Sequence, residues 1–199
     1  MSQTAGMTLR HGRGSDVSWE DFYRRRDLID AVLDAAKAGK QHEPPWRAVP
    51  EAIREFGGEE RLLLALQYKW SQVLGGRLRV ENSGPEDAGD PRGGKDDTDQ
   101  VDAVARAWLS AERDNATLRG LLDSATAASP ALRAANDAEL RMLAITAGLA
   151  EPGEPDAEVT EVGNAFVALL RERRRHPGQR PARKANPLGQ LLRALAPTA

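Results

Sequence analysis

The chain of 199 residues contains no cysteine. Disulfides, thiolate-bound zinc, iron–sulfur clusters and a catalytic thiol are therefore excluded. Histidine is scarce: His11, His42 and His176 fall in a terminal arm, a proline-rich turn and a helix end, so no metal or other cofactor is expected. Long apolar runs are also missing. The longest, residues 62–66 and 165–170, are far shorter than the ~20 residues that span a bilayer. The opening MSQTAGMTLRHGRG lacks the apolar stretch of a secretory signal, and a cytoplasmic address is the expectation. No Gly-x-Ser-x-Gly elbow occurs, and no pair of carboxylates stands alone in an apolar stripe as an acid/base pair would. Alternating apolar and polar runs are nearly absent, which leaves strands with little support.

What is present is helical periodicity and an uneven distribution of charge. Lys and Arg number 28 against 30 Asp and Glu, a formal net of -2. From Arg171 onward the chain carries a net +7, which leaves -9 for the residues before it. An acidic body with a basic tail points to an interaction segment. The length suits one domain with tails, enough chain to bury roughly 70% of its unfolded surface.

Residues 1–17, with Gly6, Gly12, Gly14, Arg10 and Arg13, show no periodicity and read as a flexible basic arm. Ser18 and Asp21 resemble a capping box that opens a helix with Phe22, Ile29, Val32, Leu33 and Ala36 on one face, ending near Gly39. Pro44 and Pro45 make a rigid turn. Pro50 suits the first position of a short helix through Phe56, with Gly57 as its stop. Leu63, Leu66, Trp70, Val73, Leu74 and Leu78 then step by three and four. Gly75 and Gly76 either end that helix or sit at a close helix contact inside a continuous one.

Residues 82–97 hold almost nothing that can be buried and read as a disordered acidic, glycine-rich loop. After it, a seam from Val101 through Val104, Trp108, Ala111, Asn115, Leu118 and Leu122 to Ala125 predicts one helix of about 28 residues. Asn115 in that seam is a kink or a paired buried amide. Ser129 and Pro130 open a further helix with Leu132, Ala135, Leu140, Leu143 and Ala147 on its face, stopped by Gly148 and Pro152. Pro155 opens the last long helix, whose stripe is Val159, Val162, Phe166, Leu169 and Leu170. The expectation is an all-α bundle of five or six helices over 18–174, followed by a basic linker and a short amphipathic helix within 175–199.

Residues 89–96 match Gly-x4-Gly-Lys, but Asp96 stands where a phosphate loop needs Ser or Thr, and acids rather than a strand precede it. Trp70 and Trp108 lie in apolar seams and read as core anchors, whereas Trp46, between Pro45 and Arg47, is either a recognition edge or a lid over the core. The tail is the most suggestive feature. Leu188, Leu191, Leu192 and Leu195 share one helical face and are the candidate anchors for a partner's groove, with Arg173, Arg174, Arg175 and Arg180 steering the encounter. The expected function is a non-enzymatic adaptor with a protein partner, and homodimerisation is left open. The alternatives are nucleic-acid binding through the same basic tail, without interleaved aromatics for base stacking, and an enzyme whose site is assembled between helices.

Residues 7–14, 139–149 and 186–192 resemble a group of small Ala- and Arg-rich helical proteins of high-GC actinobacteria. The resemblance covers about half of the chain. It implies a cytoplasmic helical protein and carries no activity, cofactor or catalytic residue.

Overall fold

The computed structural model describes residues 19–39, 43–82 and 97–175. Among these the protein is all-α, with no strand. Residues 1–18, 83–96 and the tail from His176 onward, where the leucine helix was expected, lie outside the described residues. The chain divides after Gly57 into two compact units, which subdivides the 18–174 stretch read above as one bundle.

The first unit holds α1 (Trp19–Ala38), a 3₁₀ turn (Pro45–Ala48) and α2 (Pro50–Phe56), with α1 packed on both of the others. Val32 and Ala52 are fully buried, and Trp46 is buried with them, so it is a lid over this small core and not a recognition edge. Pro50 sits at the N-terminus of α2, where its missing N–H costs nothing. Gly57 ends α2 in the left-handed conformation (φ 73°, ψ 32°), and its N–H reaches back to the Ile53 and Arg54 carbonyls. Arg25 pairs with Glu55 at 3.3 Å and lies over the Phe56 ring, tying α1 to the end of α2.

The second unit contains α3 (Glu59–Asn82), α4 (Asp97–Asp114), α5 (Ala116–Thr126), α6 (Pro130–Thr146) and α7 (Asp156–Arg175). Its principal pairings are α6 on α7 and α3 on α4, with α3 also against α5 and α6. The core is built from the seams: Leu66, Trp70 and Leu74 of α3, Val104 and Trp108 of α4, Leu122 of α5, Leu143 of α6 and Phe166 and Leu170 of α7 are all buried. Each of these is at most 1% exposed, and burial of a side chain of that size is worth about 1.5–3 kcal/mol.

The seam from Val101 to Ala125 is buried as expected except at Asn115, but it forms two helices rather than one. Asn115 takes φ −128°, ψ 38°, and its side-chain amide donates to the Ala111 carbonyl at 3.1 Å, so the kink reading holds. That break brings the number of α-helices among the described residues to seven.

α6 has defined ends. Ser129 Oγ accepts from Leu132 N–H at 3.2 Å, and Pro130 follows it. At the other end Gly148 (φ 69°) donates to the Ile145 carbonyl and Leu149 to the Ala144 carbonyl, a Schellman turn. Leu149 then packs on a cluster of Ala144, Ala150, Val159 and Val162 that seats the start of α7.

α3 is continuous through Gly75 and Gly76, and neither glycine marks a close helix contact. The close approach lies elsewhere. A Cβ on Gly163 of α7 would clash with the backbone carbonyl of Leu140, its carbon only 2.6 Å away, whereas a Cβ on Gly76 would meet nothing within 4 Å. The same substitution therefore has opposite signs at the two sites. Gly163→Ala should destabilise the protein by about 2–3 kcal/mol through overpacking. Gly76→Ala should stabilise it by about 0.5–1 kcal/mol by restricting the unfolded chain. Urea unfolding midpoints of the two variants measure both.

Candidate functional site

The structure places Arg173, Arg174 and Arg175 in the last turn of α7, where cations complement the helix dipole. Arg174 pairs with Glu112 of α4 at 2.6 Å, and Arg175 with Glu172 at 3.6 Å. Arg173 is exposed. Just before them, Arg171 is bound to Asp123 of α5 through both carboxylate oxygens, at 2.7 and 2.9 Å. Arg171 and Arg174 thus tie α7 to α5 and α4, while Arg175 pairs within α7. Arg180, Leu188, Leu191, Leu192 and Leu195 lie outside the described residues. Among the described residues no group of His, Asp and Glu could hold a metal ion, and no helix is long and apolar enough to cross a membrane.

Two features emerge that the sequence reading did not single out. The first is on α1, where Phe22 was expected on the buried face. Phe22 is 55% exposed and joins Trp19 (75%) and Tyr23 (47%) in one cluster. Ring centroids lie 5.7–6.4 Å apart, with Phe22 edge-on to both neighbours, and the Arg26 guanidinium sits 5.1 Å from the Tyr23 ring centroid. Positions 19, 22 and 23 stack on one helix face through the i, i+3 and i, i+4 relation. Three of the chain's nine aromatic residues within five positions was the available signal.

The second feature is a buried ionic chain through the second unit. Glu139 of α6 accepts from Gln67 Nε2 at 2.7 Å and Trp70 Nε1 at 2.8 Å, both on α3, and from Arg119 Nη1 of α5 at 3.3 Å. Arg119 in turn donates to Asp123 through Nε and Nη2, and Asp123 is held from the other side by Arg171. The inner pair is dry: the Arg119 side chain is 4% exposed and that of Glu139 6%. Arg119 and Arg171 also lie over the rings of Trp70 and Trp108, at 5.3 and 5.6 Å from the centroids.

Beside this chain opens a cavity of about 200 Å³. Trp108, Leu140 and Val167 form its apolar wall, and Arg119, Asp123, Asn136, Asn164 and Arg171 are among its polar lining. Sequence reasoning looked for paired carboxylates within one stripe. The actual partners are a Glu and an Arg on different helices, and the trace they leave is Glu139 set between Leu132 and Leu143 on the apolar face of α6. No protein-family model, no curated protein and no solved structure matches the chain, so its function rests on this geometry.

The dry pair carries a stability prediction. Glu139→Leu takes one of its two carboxylate partners from the buried Arg119, which keeps Asp123, and the acceptor from Gln67 and Trp70, which should cost about 3 kcal/mol. Adding Arg119→Met removes the charge left with Asp123 alone, and the double variant should regain about half of that loss. A double-mutant cycle on urea unfolding free energies tests the pair.

Proposed function

We propose that this is a non-enzymatic interaction protein that presents the Trp19, Phe22 and Tyr23 cluster, with Arg26 beside it, to an acidic protein partner. The observation that supports the reading is the exposure of three adjacent aromatic rings on one face of α1. Exposed contiguous apolar surface is costly in water, and Trp, Tyr and Arg are the side chains that dominate binding hot spots. Arg24 and Arg25 are drawn to Glu55, whereas Arg26 lies against the Tyr23 ring beside the cluster, which favours a partner with an acidic rim.

Three aromatic side chains bury about 150–250 Å² each at most, less than the ~800 Å² per partner of a standard interface. A second contact is therefore part of the proposal. Arg173 and Arg175, with Arg180 and the apolar anchors Leu188, Leu191, Leu192 and Leu195 beyond them in sequence, supply it in this reading.

The test is cross-linked recovery of partners from native extract with the full chain and with Trp19→Ala/Phe22→Ala, each with and without nuclease. These side chains are exposed, so the variant's stability should stay within about 0.5 kcal/mol of the parent. The expected result is loss of partner recovery by about tenfold or more, unaffected by nuclease. Equal recovery by the variant overturns the proposal, and recovery abolished by nuclease moves the function to nucleic acid.

A further inference from the structure

The outward face of α3 is used neither by the core nor by the α1 cluster. Positions 64, 68, 71, 72 and 75 follow one another along that face by steps of three and four, and none of them is charged. Leu64 is 36% exposed and Tyr68 66%, and Ser71 and Gln72 are exposed after them. Gly75 continues the face and Gly76 flanks it. Glycine weakens the interior of a helix relative to alanine. Within the chain neither glycine makes room for a neighbour: a Cβ on Gly76 would meet nothing within 4 Å, and one on Gly75 only the end of the Arg79 side chain, at 3.7 Å. What the missing Cβ atoms do supply is a shallow site on the helix surface, where a side chain of a second helix can sit while the two axes come close.

The face is complementary to itself. Laid antiparallel on a second copy, with the two-fold axis between positions 69 and 70, Leu64 falls opposite Gly75, Tyr68 opposite Ser71 and Glu60 opposite Arg79. The same set repeats with the copies exchanged, as an isologous contact requires. Each large side chain meets a small one, and each end of the contact brings an acid to a base. A parallel arrangement would set Leu64 against Leu64 and Arg79 against Arg79, with no use for the glycines. A formal net charge of -2 over 199 residues leaves little repulsion between copies.

We propose that α3 is the seat of an antiparallel homodimer, with Leu64 and Tyr68 of each copy packed over Gly75 and Ser71 of the other. From Glu60 to Arg79 the contact is about 28 Å long. One helix pair of that length is small against the ~800 Å² per partner of a standard interface, so the dimer exchanges readily, with a Kd of about 1–100 μM.

Sedimentation equilibrium on the full chain, from about 1 to 500 μM, should show the mass rise from one chain towards two. Leu64→Ala/Tyr68→Ala should raise the dimer Kd about tenfold or more, and so should Gly75→Gln/Gly76→Gln, in which good helix formers fill the shallow site without a change of charge. Far-ultraviolet circular dichroism should show the helix content of both variants retained. Trp19→Ala/Phe22→Ala should leave the dimer as it is, which separates this contact from the α1 surface. Because the chain has no cysteine, single introduced ones report without ambiguity. Mixed under mild oxidation, Leu64→Cys chains and Gly75→Cys chains should link to each other. Neither should link to itself, since like positions in this register lie about 16 Å apart along the helix, beyond the ~7 Å reach of a disulfide. A mass that stays at one chain at the highest concentration, a dimer unchanged by either α3 double variant or dissolved by the α1 variant, or a mixture that links no better than its components each overturns the proposal.

Discussion

The Glu139 carboxylate is the point on which the second unit depends. Three helices reach it at once: α3 through Gln67 and Trp70, α5 through Arg119, and α6 by carrying it. Apolar seams of Leu, Val and Ala repeat along a helix, so one turn of sliding, about 5.4 Å, still sets apolar against apolar. A buried carboxylate with three donors admits no such shift, because sliding any one helix strands a charge or an indole N–H in a dry interior. The cost of desolvating these groups is offset by completeness at the carboxylate, and what the arrangement adds is a single register.

Arg119, Asp123 and Arg171 extend that constraint outward to α7. Along this line the environment changes from dry at Glu139 to half-open at Arg171, whose side chain is 35% exposed. Arg174, bound to Glu112, shows the same economy in the basic turn of α7: charges that look like a solvated run in sequence are partly spent on helix packing.

How legible the fold was depends on the range over which each feature is determined. Pro50 with Gly57, and Ser129 with Pro130 and Gly148, act within a turn of their own position, and the helices they bound start and stop as read. The seams from Leu63 and from Val101 are also local, since 3.6-residue periodicity needs no knowledge of the partner. Gly163 could not be distinguished from Gly75 or Gly76 in this way, because its role comes from the Leu140 backbone on another helix. Arg119 and Glu139 are twenty residues apart and on different helices, so their pairing is visible only once α5 and α6 are side by side. Phe22 fits its helical face by spacing yet stays exposed, for periodicity says which side chains align and not how far along the helix the cover extends.

The four tryptophans are divided evenly between the two units: Trp19 and Trp46 in the first, Trp70 and Trp108 in the second. Within each unit their surroundings differ, Trp19 facing water and Trp46 enclosed, Trp70 bonded to a carboxylate and Trp108 covered by a guanidinium. The chain therefore carries its own optical labels. A chain that keeps only Trp46 would report by its emission on the first unit alone, and one that keeps only Trp70 on the second. Whether the two units melt together or one after the other can thus be read from intrinsic fluorescence, without any added dye.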